Sequence, residues 1–204
     1  MNSECMERNH HTLRGVCANL SADIARFLTK SPGDIARGDT VTARLSAFLR
    51  PELQSLCMHR IAHYLYVRRW RRLSRMVTRA NQFWHRVSIT PQSCIGPGCR
   101  LPHPSNVSFH GRAGGGLTVY ALGICCPCEP VLDQPIEAGP VLGDRVSVGA
   151  QAVILGPVIV GDDVKVAFSV HVDRDIPPSV LVVSQAQRVV MRPKDVSGKT
   201  APLE

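Results

Sequence analysis

The sequence has no apolar run long enough to cross a bilayer, and its polar start, MNSECMERNHH, does not resemble a signal peptide. These absences predict a cytoplasmic protein whose eight cysteines are reduced. Aromatic residues are scarce, and no DNA-binding motif accompanies the formal net charge of +8. We interpret the arginine-rich stretch 68–79 as the outer face of a helix, with Trp70, Leu73, Met76 and Val77 beneath it. Neither a membrane nor a nucleic-acid partner is expected.

The rear half of the chain lacks both the 3.6-residue period of helices and the alternation of simple strands. Aliphatic or small residues recur there at every sixth position, which predicts a left-handed parallel β-helix of about five coils with three hexads in each. The first register is Leu142, Val148, Ile154, Val160, Val166 and Val172. The second is Pro140, Val146, Ala152, Val158, Val164 and Val170. An earlier run contains Ile89, Ile95, Leu101, Val107, Ala113, Val119 and Cys125.

The front half carries the helical pattern that the rear half lacks. Helices are expected at about 20–28, 41–49, 51–67 and 69–87, after a loose tail over residues 1–15. The third begins at Pro51, a favoured first helical position. Its predicted apolar face consists of Leu53, Leu56, Cys57, Ile61, Leu65 and Tyr66.

The fold class that follows is α+β, an N-terminal helical region followed by the β-helix. We expect the helical region over 1–86, the β-helix over 87–190 and a C-terminal tail over 191–204. The hexad phase is lost between residues 126 and 139, which predicts a loop leaving one coil.

Two groups of side chains invite a metal hypothesis. His59 and His63 lie four residues apart on one helical face, but no third ligand is nearby, so a packing role is favoured. Cys125 and Cys128 have the C-x-x-C spacing and enclose Cys126, yet no second pair has comparable spacing. A thiol cluster is therefore favoured over zinc, and no metal is expected.

Several motifs occur in a recognisable order. They are RIAHYLY (60–66), SITPQSCIGPG (88–98), LPHP (101–104), GPVLGDRVSVGAQAVILGPVIVGDDVKV (139–166) and DIPPSVLVV (175–183). Over roughly residues 50–190, this order resembles the serine O-acetyltransferase family. The resemblance implies acetyl transfer from acetyl-CoA to the hydroxyl of serine, a step of cysteine biosynthesis. It also implies a homotrimer with clefts between chains, or a dimer of trimers paired through the N-terminal helices.

The resemblance assigns the general base to His103. An imidazole suits this task because its pKa lies near neutral pH, whereas a serine hydroxyl does not ionise there. His110 matches a histidine of one family variant, and either orients the acceptor or has a structural role. Ala150 and Lys165 correspond to the acetyl-CoA groove, where Lys165 either attracts a phosphate or is simply solvated.

The chain also departs from the family pattern. Pro102 replaces the aspartate that commonly precedes the catalytic histidine, and Ala138 and Gly139 replace an Arg-His pair that holds the serine carboxylate. Without those cations a carboxylate loses its charge-assisted partners. The acceptor therefore stays open among serine, homoserine, a sugar and other alcohols. The alternative function is a catalytically reduced homologue that acts as a structural or regulatory partner.

Overall fold

A computed structural model of the chain describes residues 12–28, 49–128 and 135–184. Within them, three helices precede all of the strands: α1 (Leu13–Leu28), α2 (Pro51–Val67) and α3 (Arg71–His85). The helix expected over 41–49 lies almost wholly outside the described residues, as do most of the two predicted tails. None of the described helices is long and apolar enough to cross a membrane.

Helix α1 begins earlier than the sequence pattern indicated. The side-chain oxygen of Thr12 accepts a hydrogen bond of 3.0 Å from the backbone N–H of Gly15, which caps the first turn. The prediction of a loose tail up to residue 15 is therefore wrong for residues 13–15, which are helical. Helix α2 starts at the predicted Pro51, after an extended Arg50. Helix α3 ends before Arg86, whose positive φ of 55° stops the helix.

The strands are short and pair only in parallel. They form three sheets, which we call the first, second and third faces. The first face contains β1 (Val87–Ile89), β3 (Val107–Phe109), β6 (Ile124–Cys126), β9 (Val153–Leu155) and β12 (His171–Val172). The second contains β2 (Cys94–Ile95), β4 (Arg112–Ala113), β7 (Val141–Leu142) and β10 (Ile159–Val160). The third contains β5 (Thr118–Val119), β8 (Ser147–Val148), β11 (Lys165–Val166) and β13 (Leu181–Val182).

The order of the faces along the chain makes a parallel coil. In the late coils, paired residues are three hexads apart, as in Val141 with Ile159 and Ser147 with Lys165. The chain therefore visits each face once per turn, and five turns are described. The hexad residues fill the interior: Leu142, Val148, Ile154, Val160, Val166 and Val172 are all buried, and so is every aliphatic residue of the second register. The predicted interior is confirmed residue by residue.

One turn is longer than its neighbours. Arg112 of β4 pairs with Val141 of β7, and Val141 pairs with Ile159 of β10. The first pair is separated by eleven more residues than the second. The extra chain leaves the coil after β6 and returns at β7. Its described end forms a 3₁₀ turn at Ile136–Ala138, whereas 129–134 lie outside the described residues. We call the segment 135–139 the return segment.

The helices are fastened to the first turn of the coil by a buried ion pair. Arg60 of α2 donates to both carboxylate oxygens of Asp23 in α1, at 3.1 and 3.2 Å. Its guanidinium also donates to the backbone carbonyls of Ile95 and Gly96. Asp23 in turn accepts the N–H of Cys99 at 2.7 Å. The charges therefore satisfy backbone groups of the coil as well as each other.

Two predicted helical faces need correction. Trp70, Leu73 and Met76 are 63%, 42% and 66% exposed instead of lying beneath the arginines. The reason is that α3 packs on α2 through small polar residues, with the Ser74 hydroxyl donating to the carbonyl of Ala62. On α2, Ile61 is exposed, whereas Arg60 and both histidines of that helix are buried.

Candidate functional site

His103 lies on the edge where the third face turns into the first. It is exposed, and its φ of 59° is uncommon for a residue with a side chain. The turn is closed by the N–H of Ser105, which donates to the His103 carbonyl at 2.8 Å. Within the described residues, its imidazole makes no side-chain hydrogen bond. The ring is therefore available to a molecule bound at this edge.

Backbone hydrogen bonds run from turn to turn along the same edge. Leu122 donates to Ser105, Gln151 to Ala121, and Ser169 to Ala150, at 2.9 to 3.0 Å. Adjacent turns of a parallel coil are about 4.8 Å apart. Ala150 therefore lies two turns, or roughly 10 Å, from the edge position of His103.

Lys165 lies on the third face, next to this edge. It is exposed, and it pairs in register with Ser147 on one side and Leu181 on the other. Ser147 is only three residues before Ala150, so Ala150 and Lys165 belong to neighbouring turns of one surface. Three of the four predicted site residues thus share one edge and the face beside it.

His110 is in a different environment. It follows β3 on the first face and is only 2% exposed. Its Nε2 lies 3.4 Å from the carbonyl of Pro135, and its Nδ1 lies 3.1 Å from the hydroxyl of Thr90. Because a carbonyl only accepts, the proton belongs on Nε2, and Nδ1 accepts from Thr90.

The surroundings of His110 favour the neutral ring. Burial lowers the pKa of His110, and the Pro135 carbonyl and the Glu137 carboxylate oppose this shift by favouring the imidazolium. Glu137 itself accepts a 2.7 Å hydrogen bond from Arg112. His110 and Arg112 together tie the return segment to the coil.

The cysteine cluster is divided between the interior and the surface. Cys125 points into the coil, and burial strongly raises the pKa of its thiol. The Cys126 sulfur lies 3.3 Å from the hydroxyl of Ser108, and Cys128 is exposed. Among residues 12–28, 49–128 and 135–184, no group of three or more His, Cys, Asp or Glu side chains is arranged to hold a metal ion.

His59 and His63 belong to the helical packing. The Nδ1 of His63 lies 2.9 Å from the carbonyl of Pro91 in the first turn of the coil. The two rings are tilted against each other with their centroids 6.2 Å apart. RIAHYLY therefore joins helix to coil through Arg60 and His63.

Open cavities flank the coil, and two of them are lined by described residues. One, of about 440 Å³, lies on the edge between the second and third faces, beside Gly115 and Arg145. The other, of about 580 Å³, lies between the end of α3 and the start of the first face. We call it the Arg86 groove, because Arg86 is the only charged residue among the described residues of its wall. The sequence pattern gave no sign of this groove, since its residues meet only when the coil closes.

At one of the two positions where the resemblance has a cation, the backbone leaves no room for a side chain. A Cβ atom added to Gly139 would lie 2.0 Å from the carbonyl oxygen of His110, a distance that no side chain can tolerate. Gly139 is one of the two positions that carry a cationic residue in the resemblance. In this backbone arrangement, neither arginine nor histidine fits there.

Comparisons with known proteins agree with the coil and its motifs. Residues 139–174 match the family described as bacterial transferase hexapeptide (six repeats). Serine acetyltransferase of Mycobacterium tuberculosis is 30% identical over 151 residues, which are 73% of this chain and 65% of that protein. Serine acetyltransferase of Helicobacter pylori is 27% identical over 176 residues, which are 85% of this chain and 98% of that protein.

Solved structures extend the agreement to the fold. Two crystal structures of Neisseria gonorrhoeae serine acetyltransferase, the second in complex with serine, each match with a TM-score of 0.75. Their sequence identities are 22% and 21%, and the matches cover 92% and 89% of this chain and 71% and 72% of theirs. The predicted resemblance is confirmed in sequence and in fold.

Proposed function

We propose that this chain belongs to the serine O-acetyltransferase family and transfers an acetyl group from acetyl-CoA to the hydroxyl of serine or a related small alcohol. The observation that carries the proposal is the shared edge of the coil, where exposed His103 and the small residue Ala150 lie two turns apart. The imidazole of His103 and a surface of small residues along which acetyl-CoA lies then border the same space.

His103 acts as the general base in this proposal. Its imidazole accepts the proton of the acceptor hydroxyl as the oxygen attacks the acetyl carbon. The C–S bond then breaks, the imidazolium returns the proton to the sulfur, and CoA leaves as the free thiol. Positioned base catalysis of this kind contributes about 10²–10⁴ in rate. Backbone N–H groups at the edge are candidates to stabilise the oxyanion.

Because Pro102 replaces the aspartate of the resemblance, no carboxylate directly precedes His103 in the sequence. A carboxylate that fixes the tautomer of a catalytic histidine can contribute about 10⁴ in rate. We infer that this enzyme is slower than relatives with an aspartate at this position. His110, which is buried and bonded to Pro135, serves in our proposal as a positioning residue that holds the return segment.

Acetyl-CoA lies along the third face in this proposal. Ala150 leaves room for the backbone to approach the pantetheine, and Lys165 presents one exposed positive charge to a phosphate. No metal takes part in the reaction as proposed.

Several architectural expectations belong to the same proposal. We propose a left-handed winding of the coil, domain limits at residues 86 and 190, and a cytoplasmic homotrimer that can pair into a dimer of trimers. The exposed apolar residues of α3 support the pairing, because a lone helix rarely leaves such residues in water.

The second candidate is a catalytically reduced homologue that acts as a structural or regulatory partner. The observation in its favour is the crowding at Gly139, which excludes a cationic side chain from a position that anchors the acceptor in the resemblance. An intact fold with an incomplete acceptor site would still bind other proteins.

One assay separates the two candidates. Free CoA thiol is measured with acetyl-CoA and a panel of serine, homoserine and sugars, for the wild type, His103→Ala and the control His171→Ala. His171 is also an exposed histidine, but it lies on the first face. We expect His103→Ala to lower turnover by roughly 10²-fold or more with acetyl-CoA binding retained, and His171→Ala to match the wild type. A wild type that is inert with every alcohol favours the partner role, and full activity in His103→Ala excludes His103 as the base.

A further inference from the structure

The Arg86 groove has the composition of an anion site. The polar residues Gln82, Ser88, Asn106 and Ser108 line it together with Arg86 and the apolar residues Phe83 and Val107. No acidic residue is among them. Within the described parts of the chain, Arg86 forms no ion pair with a carboxylate. Its guanidinium therefore adds a full positive charge to a cavity of about 580 Å³.

Strand register joins this groove to the edge that carries the proposed base. Val87 pairs with Val107 and Ser88 with Ser108, so Arg86 and Asn106 are neighbours at the start of the two strands. Both have positive φ, at 55° and 51°. His103 precedes Asn106 by three residues, so their Cα atoms are at most about 10 Å apart. A small ligand held by Arg86 can therefore extend towards His103.

The end of α3 opposes anion binding, but only weakly. Its terminal carbonyls carry a partial negative charge of about one half. One of them is already bonded, because the N–H of Arg86 donates to the carbonyl of Gln82 at 3.0 Å. The full charge of the guanidinium exceeds this partial charge. Its planar fork also matches the two oxygens of a carboxylate.

We propose that the Arg86 groove binds the carboxylate of the acceptor, which makes the acceptor a hydroxyl-bearing amino acid or hydroxy acid rather than a neutral sugar. The assignment rests on the proposed acetyl transfer. In this assignment, Arg86 at the end of α3 supplies the positive charge that Ala138 and Gly139 lack. Ser88 and Asn106 supply hydrogen bonds for the remaining polar groups of the acceptor.

Binding measurements test the groove without requiring turnover. Calorimetry on the full-length protein compares L-serine with L-serinamide, which keeps the hydroxyl and the amine but lacks the carboxylate. The variants are Arg86→Met, Arg86→Lys and the control Arg79→Met, which removes an exposed arginine of the same helix.

We expect the wild type and Arg79→Met to bind L-serine more tightly than L-serinamide. Arg86→Met should weaken L-serine binding by about tenfold or more, as the loss of a hydrogen bond to a charged group implies, and leave L-serinamide unchanged. Arg86→Lys should be intermediate.

Several outcomes would overturn the assignment. They are equal L-serine affinity in Arg86→Met and Arg79→Met, equal wild-type affinity for serine and serinamide, and no measurable serine binding to the wild type. Failure of the proposed function has another signature. If serine binds through Arg86 but no CoA is released, the groove stands and the acetyl transfer does not. If CoA is released with sugars and Arg86 has no effect, the acetyl transfer stands and the groove does not.

Discussion

At the residue scale, the histidines divide by their surroundings. His103 is exposed on an edge, whereas His63 and His110 are buried and bonded to backbone carbonyls of Pro91 and Pro135. A buried imidazole resists protonation because the charged form loses its hydration. The same residue type is thus open to a bound molecule at one position, whereas burial favours its neutral form at the others.

Acid should destabilise the protein through the buried histidines. Burial lowers the pKa of His63, which the Pro91 hydrogen bond partly opposes, and the positive charge of Arg60 lowers it further. Below about pH 6.5 the histidine of the unfolded chain binds a proton more readily than the native ring does. The free energy of unfolding therefore decreases as the pH is lowered. The slope reaches about 1.4 kcal/mol per pH unit for each such histidine. Denaturant titrations at pH 8, 7, 6 and 5 measure it.

The matched variants for this prediction are His63→Gln and His171→Gln. The first removes a titrating group and should flatten the acid slope, even if it lowers stability at every pH. The second changes an exposed histidine and should keep the wild-type slope. Identical slopes in all three proteins would contradict a lowered pKa at His63.

Lys165 tests the proposed position of acetyl-CoA. An exposed charge pair contributes up to about 1 kcal/mol, so replacing attraction by repulsion in Lys165→Glu should weaken acetyl-CoA binding roughly tenfold. The control Arg174→Glu makes the same change of charge at an exposed position beyond β12. Calorimetry with acetyl-CoA at low salt measures both. Unchanged affinity in Lys165→Glu would place the ligand elsewhere.

At the element scale, the junction of the helices with the coil depends on Asp23 and Arg60. Burial raises the pKa of Asp23, and Arg60 opposes that shift by stabilising the carboxylate. Removing one member of a buried pair leaves an uncompensated charge and costs about 3–5 kcal/mol. We therefore expect Asp23→Ala to lower the free energy of unfolding by that amount in denaturant titrations.

Two further variants make this prediction specific. The double variant Asp23→Leu with Arg60→Met removes both charges and should recover much of the loss. Asp173→Ala breaks an exposed pair with Arg174 and should change stability by less than about 1 kcal/mol. Equal effects of Asp23→Ala and Asp173→Ala would show that the buried pair does not fasten the helices.

The return segment offers a second test at this scale. In Gly139→Ala the new methyl group would meet the His110 carbonyl, so the segment must shift, and overpacking of this kind costs about 1–3 kcal/mol. Gly115→Ala is the matched control, because a Cβ there meets no atom closer than 3.5 Å. Thermal and denaturant unfolding of both variants measure the difference. Equal stability would mean that the return segment is not packed against His110.

A feature of the fold or of the site was predictable where the residues that determine it lie close together in the sequence. The interior of the coil was predicted because each buried hexad position, such as Val148 or Ile154, is set by local spacing alone. Burial of Arg60 was not predicted, because its partner Asp23 lies 37 residues away on another helix. The Arg86 groove was missed for the same reason. The early start of α1 has a local signal in the capping residue Thr12, but a cap leaves no trace in the apolar periodicity on which the prediction rests.

At the scale of the whole molecule, apolar surface is distributed unevenly. The interior of the coil is filled, whereas Trp70, Met76 and Trp84 on or next to α3 are mostly exposed. In a helix bundle such residues would normally face a neighbouring helix. Large exposed apolar patches mark interaction sites in stable proteins, so this surface favours assembly through the helices.

Assembly gives the last prediction. The proposed homotrimer has three times the chain mass of 22.3 kDa, and pairing of two trimers through α3 doubles that mass. Light scattering of the wild type at micromolar concentration should therefore report six chains. Trp70→Glu with Met76→Glu should reduce the particle to three chains, since two carboxylates would have to be buried in the helical contact. The control Arg72→Glu with Arg75→Glu alters exposed positions of the same helix without removing apolar surface, and should leave six. A monomer in the wild type would exclude a cleft between chains, and the edge of His103 and Ala150 would then have to bind both substrates within a single chain.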